Sequence, residues 1–432
     1  MNIQPDVHRR DYTQIADRLL PGGGLGGYVL PDDVRFTVRS GHGGRLTSTD
    51  GREYVDFVCG SGANIIAHDN PAVIDAVKAR VGQGMHFFGV MNDAAVEFAE
   101  VLVDAIPCAE RIIYTTTGSE ATSYAMRIAR AVTGKQKILK FEGAYHGNQD
   151  TAGFSQFPTK ASNYPMPSAD FGGVPHVLQG TMLVTPYNDL DALESILFEY
   201  ADDIAAIIVE PVQRIIFPKP GFLKGLRKLA DKYGVLLIFD EVVTGFRLSL
   251  GGGQEYFGVQ PDLACYGKIM GGGLPLGCVA GCSDLIDATN PKRKGQPEYA
   301  YVTGNMHGDP IGAVAGLETV RVLNQPGFYE DLHARADRFR EAVQSVLNRH
   351  DLPAIVVGEA SFWQILFADS APKNVLDVLA SDLTRSTSLD LEWLRNDIYV
   401  IPSARRFFSS AHTNADEEKA LEALDIACSN FE

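Results

Sequence analysis

Long apolar runs are missing from this sequence. No stretch approaches the ~18 consecutive apolar residues that a membrane-spanning helix requires. The opening MNIQPDVHRRDYTQ has no apolar signal core, and it carries too much acid for a transit peptide. The expectation is a soluble protein of the cytoplasm. Cysteine is scarce as well: Cys59, Cys108, Cys265, Cys278, Cys282 and Cys428 are scattered, with no CxxC among them. No His or Cys pair with ligand spacing follows Cys278 and Cys282, so no metal site is expected. The thiols read as small buried apolar groups in a reducing compartment. Basic charge is the third shortage, with 38 basic against 54 acidic residues and a net charge of −16. Arg9-Arg10, the 292–294 cluster and Arg405-Arg406 are too short to track a phosphate backbone, which argues against a nucleic-acid partner. Repeats and low-complexity segments are absent too.

What is present is enough chain for a large core. The 432 residues suggest two or three units at about 150 residues each. Residues 1–75 read as an N-terminal segment: a helix over 12–20, a glycine-rich loop GGGLGG at 22–27, and short strands at 35–39 and 54–58 near the turn-forming Asp50-Gly51. The glycine run follows no strand and opens no helix, so it reads as a loop near a site or interface and not as a dinucleotide fingerprint. A helix over 72–81 follows. Residues 76–323 alternate helix and strand, with strands at 111–115, 137–141, 205–209, 235–239, 263–266 and 278–281. Helices are expected at 93–105, 120–133, 190–199 and 223–233. The strands are continuously apolar, which means a mostly parallel sheet covered on both faces, the doubly wound α/β class. Residues 324–432 read as a C-terminal α+β unit running from a long charged helix at 328–348 to a helix at 416–429.

The chemistry gathers where such strands end. Ligands of an open parallel sheet sit beyond its carboxyl ends. Asp240 closes the strand VLLIFD, and Lys268 follows DLACYG. Two opposite charges at the ends of neighbouring buried strands are costly unless something uses them. Pyridoxal 5'-phosphate (PLP) uses both: a lysine for the Schiff base, and a carboxylate that keeps the pyridine nitrogen protonated. Burial among charges lowers a lysine's pKa and makes it a usable nucleophile. Three further strand ends carry polar residues. Gly118 and Ser119 open a helix and suit a phosphate, although these residues alone favour a plain helix cap with Ser119 capping. In EGAYHG, Tyr145 can lie on a flat cofactor, while His146 is either a base or a satisfied polar group. Glu210 ends IAAIIVE and is either functional or paired with a cation.

The motifs TTTGSEA, EGAYHG, IIVEPV, FDEVVTGFR and YGKIMGGGLPLG, in this order and spacing, resemble those of the class III PLP-dependent aminotransferases. Within that class the chain looks most like the glutamate-1-semialdehyde aminomutase branch. The resemblance implies the fold-type-I architecture and an obligate homodimer with active sites built from both chains. It implies Lys268 as the Schiff-base lysine that also shuttles a proton, and Asp240 at the pyridine nitrogen. It implies Val242 and Tyr145 on the two ring faces, Gly118 and Ser119 at the phosphate, and Glu210 near the phenolic oxygen and Lys268.

Departures from the pattern bear on the substrate. The family closes its phosphate site with a threonine from the partner chain, in a segment like GTLSGNP. Here the stretch is GNMHGDP, with Asn305 at the threonine position and Thr303 two residues earlier. The aminomutase holds its substrate carboxylate with an arginine in the N-terminal loop, yet 22–31 contains none. Arg214, Arg405 and Arg406 are the candidate replacements, since a bidentate arginine is the usual answer to a carboxylate. Arg247 in TGFR is shared with the branch and reads as structural or functional. Residues 148–150 also depart from the family. The loop 154–173 and the apolar pair Phe87 and Phe88 are candidates to shape the pocket. The expected activity is amino-group transfer between an amine or amino acid and a carbonyl compound. A 2,1-aminomutase, or a racemase or epimerase, on the same scaffold is the alternative. A non-catalytic binding protein is the remote one, against which Lys268 and Asp240 speak.

Overall fold

The computed structural model describes residues 11–431, so residues 1–10, with Arg9-Arg10, lie outside it. Its centre is a seven-stranded sheet. In spatial order the strands are Arg111–Thr115, Gly277–Gly281, Leu263–Tyr266, Leu236–Asp240, Ile204–Val209, Lys137–Phe141 and Met182–Thr185. All run parallel except Gly277–Gly281, which is antiparallel to both its neighbours. Every residue of Ile204–Val209 is buried, as a strand covered on both faces must be.

One covering element is the helix Gly118–Thr133, whose Ala121, Ala125, Ile128 and Ala129 face the sheet with no exposure. Small side chains on that face let helix and sheet approach closely. Thr117, not Ser119, is the N-cap. Its hydroxyl accepts from the Glu120 amide, and Glu120 reaches back to the Thr117 amide, a capping box.

Two smaller sheets flank this one. Val38–His42, Arg45–Ser48 and Glu53–Asp56 form an antiparallel set that is extended in parallel by Ile398–Tyr399. Ile355–Val357, Phe362–Leu366 and Arg406–Phe407 form the other. Arg247 ties these layers together. It is buried and donates to the carbonyls of Gly62 and Asn64, both at 3.0 Å, and to Ser361 Oγ at 3.1 Å. Its guanidinium lies 4.8 Å from the Phe407 ring centroid. Structural work of this kind accounts for its place in TGFR. Among the described residues no helix is long and apolar enough to cross a membrane.

Several expectations need correction. The strands Arg45–Ser48 and Met182–Thr185 were not expected. Each has only four residues, too few for a period to stand out. The strand expected at 35–39 is Val38–His42, and Asp50-Gly51 turns between Arg45–Ser48 and Glu53–Asp56. The reversed direction of Gly277–Gly281 leaves no mark in composition. Arg406 is not available to a substrate: it is 1% exposed, paired with Asp390, and its guanidinium lies 4.9 and 5.2 Å from the ring centroids of Trp363 and Trp393. Breaking such a buried pair leaves a stranded charge, at a cost of about 3–5 kcal/mol. Arg406→Met should lower the unfolding free energy by that order in a denaturant titration. Adding Asp390→Leu should recover most of the loss.

Candidate active site

The parallel strands all end at one edge of the sheet, and the polar residues singled out in the sequence collect there. Asp240 is the last residue of its strand and only 5% exposed. Both its oxygens are held: Oδ2 by His146 Nδ1 at 2.8 Å, and Oδ1 by the Val242 amide at 3.1 Å. A carboxylate has about four lone-pair sites, so room remains for a third donor. The buried His146 ring has no partner at Nε2 among the described residues. His146 is therefore tied to Asp240 and only half satisfied. Its place beside Tyr145 in EGAYHG was the available signal, but no sequence pattern pairs it with Asp240 across the intervening Glu210 strand.

Lys268 sits two residues past its strand, half-buried, with a left-handed φ of +52°. A side-chain-bearing residue in that region costs on the order of 1 kcal/mol and marks a position the surroundings impose. Burial pushes its amine down to about 7. The Arg405 charge pushes the same way, Asp240 and Glu210 pull it back up, and Arg247 lowers it further. Glu210 is 4% exposed, and its Oε2 accepts from the Tyr145 amide at 3.1 Å. No cation lies within ion-pair distance of it among the described residues, although its charge reaches Lys268 and Arg405. The Tyr145 ring itself is 39% exposed.

Gly118 and Ser119 are the first two residues of their helix, and their amides have no acceptor among the described residues. A Cβ on Gly118 would stand 2.7 Å from both Val242 methyls, and one on Gly147 would stand 2.7 Å from Ser119 Cα. The chain therefore packs tightly, with no room for a side chain, around a helix N-terminus whose backbone N–H groups suit an anion. The Ser119 hydroxyl accepts from the Asn148 amide at 3.0 Å, so the unusual 148–150 stretch leans on this cradle. Thr303 and Asn305 are both exposed, and the Thr303 carbonyl accepts from Tyr124 of the same helix at 2.9 Å.

The loop after Tyr145 is also fastened. Glu142 is buried, accepts from the Ser162 amide at 2.6 Å, and bonds the Tyr164 hydroxyl. Lys140 has no exposure and donates to the carbonyls of Ala144 at 2.9 Å and Phe154 at 2.7 Å. Arg214 and Arg405 meet at this edge, with Arg405 Nη1 donating to the Arg214 carbonyl at 2.8 Å. Phe87 leans over Gly84 in an exposed loop, and with Phe88 at 64% exposure it forms no closed wall within one chain.

The family model for aminotransferase class-III matches residues 30–385. The chain belongs to the class-III aminotransferases. A glutamate-1-semialdehyde 2,1-aminomutase of Desulfitobacterium hafniense (strain Y51) is 37% identical over 417 residues, covering 92% of this chain and 95% of that one. An omega-transaminase from Sphaerobacter thermophilus superposes with a TM-score of 0.91 at 29% identity, over 98% of this chain and 99% of that one. A glutamate-1-semialdehyde aminomutase from Pseudomonas aeruginosa PAO1 shares the fold, with a TM-score of 0.87 at 24% identity over 98% and 94% of the two chains. The chain is thus a PLP-dependent enzyme of fold type I that acts on small-molecule amines and carbonyl compounds. Its residues fit the cofactor: two open amides for a phosphate, a buried carboxylate with an unused acceptor site, and a lysine poised near neutrality.

Two outcomes follow from this geometry. Gly118→Ala should weaken PLP retention by about tenfold, the scale of one overpacked methyl. Val242→Ala should relieve that loss in the double variant, as titrated by absorbance. An amine with a pKa of about 7 is half neutral at pH ~7, against roughly one part in a few thousand for an ordinary lysine. The rate at which apoprotein captures PLP should therefore rise with pH and level off just above 7. A rate still climbing toward pH 10 would contradict the placement of Lys268.

Proposed function

We propose that this chain is an aminotransferase that moves an amino group from an amine or amino acid to a carbonyl compound through Lys268. The observation that supports it most is the pairing at one sheet edge of a lysine pushed toward neutrality with a buried carboxylate held by His146 and the Val242 amide. Bound PLP supplies an electron sink that acidifies the proton on the carbon bearing the amino group. The rest is the work of this chain's side chains. Asp240 would accept a hydrogen bond from the protonated pyridine nitrogen and so keep the proton on that nitrogen. The Gly118 and Ser119 amides bind the phosphate, with Asn305 or Thr303 of a second copy completing that site. Val242 and Tyr145 would lie against the two ring faces, and Glu210 would stand by the phenolic oxygen and Lys268. The amine of Lys268 would take the proton from the substrate carbon and return it two atoms away, a 1,3 shift, as its near-neutral pKa allows.

A homodimer belongs to this reading. The helix Tyr12–Leu19 buries none of its residues within one chain, and Met85, Phe88, Val90 and Met91 are 57%, 64%, 67% and 81% exposed. An apolar stretch of that kind is what a second copy covers. The 2,1-aminomutase reading has one observation on its side, the 37% identity to the enzyme of that name. Against it stands the absence of arginine from 22–31.

The purified protein should be yellow, and borohydride should fix the colour covalently to the peptide that contains Lys268. Lys268→Ala should lose the band, and the wild-type band should bleach with an amino donor and recover with a keto acid. A protein that stays colourless in excess PLP would sink the reading. Reaction with glutamate-1-semialdehyde or its diamino relative alone would return it to the aminomutase.

A further inference from the structure

Most buried charges in this molecule are accounted for. Arg247 serves four carbonyl or hydroxyl oxygens, Arg406 serves Asp390, and Lys140 serves two carbonyls. Arg214 and Arg405 are different. Both are half-buried, neither has a carboxylate within ion-pair distance among the described residues, the Arg405 guanidinium donates to the Arg214 main-chain carbonyl, and the Arg405 side chain feels the Arg214 charge. Like charges brought together without a counter-ion are costly. Arg405 feels that cost: burial pushes its guanidinium down to about 10, with Glu210 and Asp240 pulling it back and Arg214 adding to the fall.

The backbone at Arg214 adds a second observation. Gln213 and Ile216 exchange backbone hydrogen bonds of 3.0 and 2.8 Å, which makes Arg214 and Ile215 the corner of a two-residue turn. Arg214 stands at that corner with φ +60°. Glycine is the residue that suits a left-handed turn corner, and an arginine gains nothing there for the fold. Its side chain nevertheless has a set direction. Nε donates to the Gly143 carbonyl at 3.2 Å, and the guanidinium lies 5.5 Å from the Tyr145 ring centroid and 5.2 Å from that of Phe157. Nη1 of Arg214 has no partner among the described residues. A guanidinium stacked on two rings, with an open edge, beside a second unpaired guanidinium is a fork waiting for an anion.

We propose that Arg214, with Arg405 beside it, is the carboxylate receptor of this active site and the residue that sets its specificity. The substrates it selects are amino acids and oxo acids, not plain amines. The pair stands in for the arginine that 22–31 lacks. Because Arg214 rests on Tyr145, a bound carboxylate also fixes the ring that faces the cofactor. The assignment rests on the Lys268 reading above.

The test uses the holoenzyme and the inert probe glutarate, with its neutral analogue glutaramide, measured by titration calorimetry. Wild type should bind glutarate and not glutaramide. Arg214→Gly removes the fork and relieves the turn corner, so misfolding is not its expected failure. It should keep the Lys268 absorption band and bind glutarate at least about tenfold more weakly, the scale of a lost charge-assisted pair. Arg214→Lys, a point charge without the fork, should fall between. Arg405→Gln should behave like Arg214→Gly. With amino-acid donors the KM should rise far more than kcat falls. Unchanged glutarate affinity in Arg214→Gly, equal binding of glutaramide, or no glutarate binding by wild type would overturn the assignment. A wild-type protein without the band would instead count against the Lys268 reading, and the glutarate comparison would still be read on that protein.

Discussion

Asp240 places a carboxylate where water barely reaches, and the surrounding structure makes that position tenable. A buried carboxylate without hydrogen-bond donors is costly. Here one oxygen is held by His146 and the other by the Val242 amide. Those bonds fix its direction. They also couple three chain segments: the strand end at Asp240, the turn at Val242, and the EGAYHG turn after Phe141. Val242 in turn rests against Gly118, so the anion cradle at the helix N-terminus is positioned by the same carboxylate. Cofactor chemistry of this class needs its ring nitrogen, its ring faces and its phosphate held at once, and a single network joins the residues proposed for all three.

The lysine is governed by a different logic. Asp240 is held in place by hydrogen bonds, whereas Lys268 is pushed toward neutrality by burial and by the Arg405 charge. Glu210 and Asp240 offset part of that effect. The result lies near the working pH, where an amine can both attack and carry a proton. Arg405 therefore acts on the lysine by its charge, beside its proposed part in the carboxylate receptor. A bound anion there would soften its push on Lys268, so an occupied substrate site would shift the lysine toward the protonated form.

Much of this was legible from the residues alone, for a physical reason. Parallel strands buried on both faces are apolar from end to end, so a charge at their carboxyl ends stands out. Asp240, Glu210 and Lys268 were visible that way, and the Gly118–Thr133 helix was visible from its alanine face. What was hidden depends on contacts between distant segments. The His146–Asp240 bond spans 94 residues. The burial of Arg406 between two tryptophans depends on packing that no local pattern records, and so its sequence neighbour Arg405, one residue away, has a different fate. The left-handed turn that presents Arg214 is equally silent, because nothing in Gln213-Arg214-Ile215 announces a glycine-like conformation.

The reversed strand Gly277–Gly281 has a consequence of its own. It is the single strand lying between Leu263–Tyr266, which leads to Lys268, and Arg111–Thr115, which leads to Gly118. The two places proposed to grip a cofactor, at its aldehyde end and at its phosphate, are thus separated by two strand spacings, about 10 Å between strand axes. That strand acts as a ruler. A side chain at Gly277 would strike the Tyr266 carbonyl at 2.6 Å on one side and Thr115 Oγ1 at 2.7 Å on the other. The reach of the site is therefore measured out by backbone alone, and it tolerates no thicker gauge.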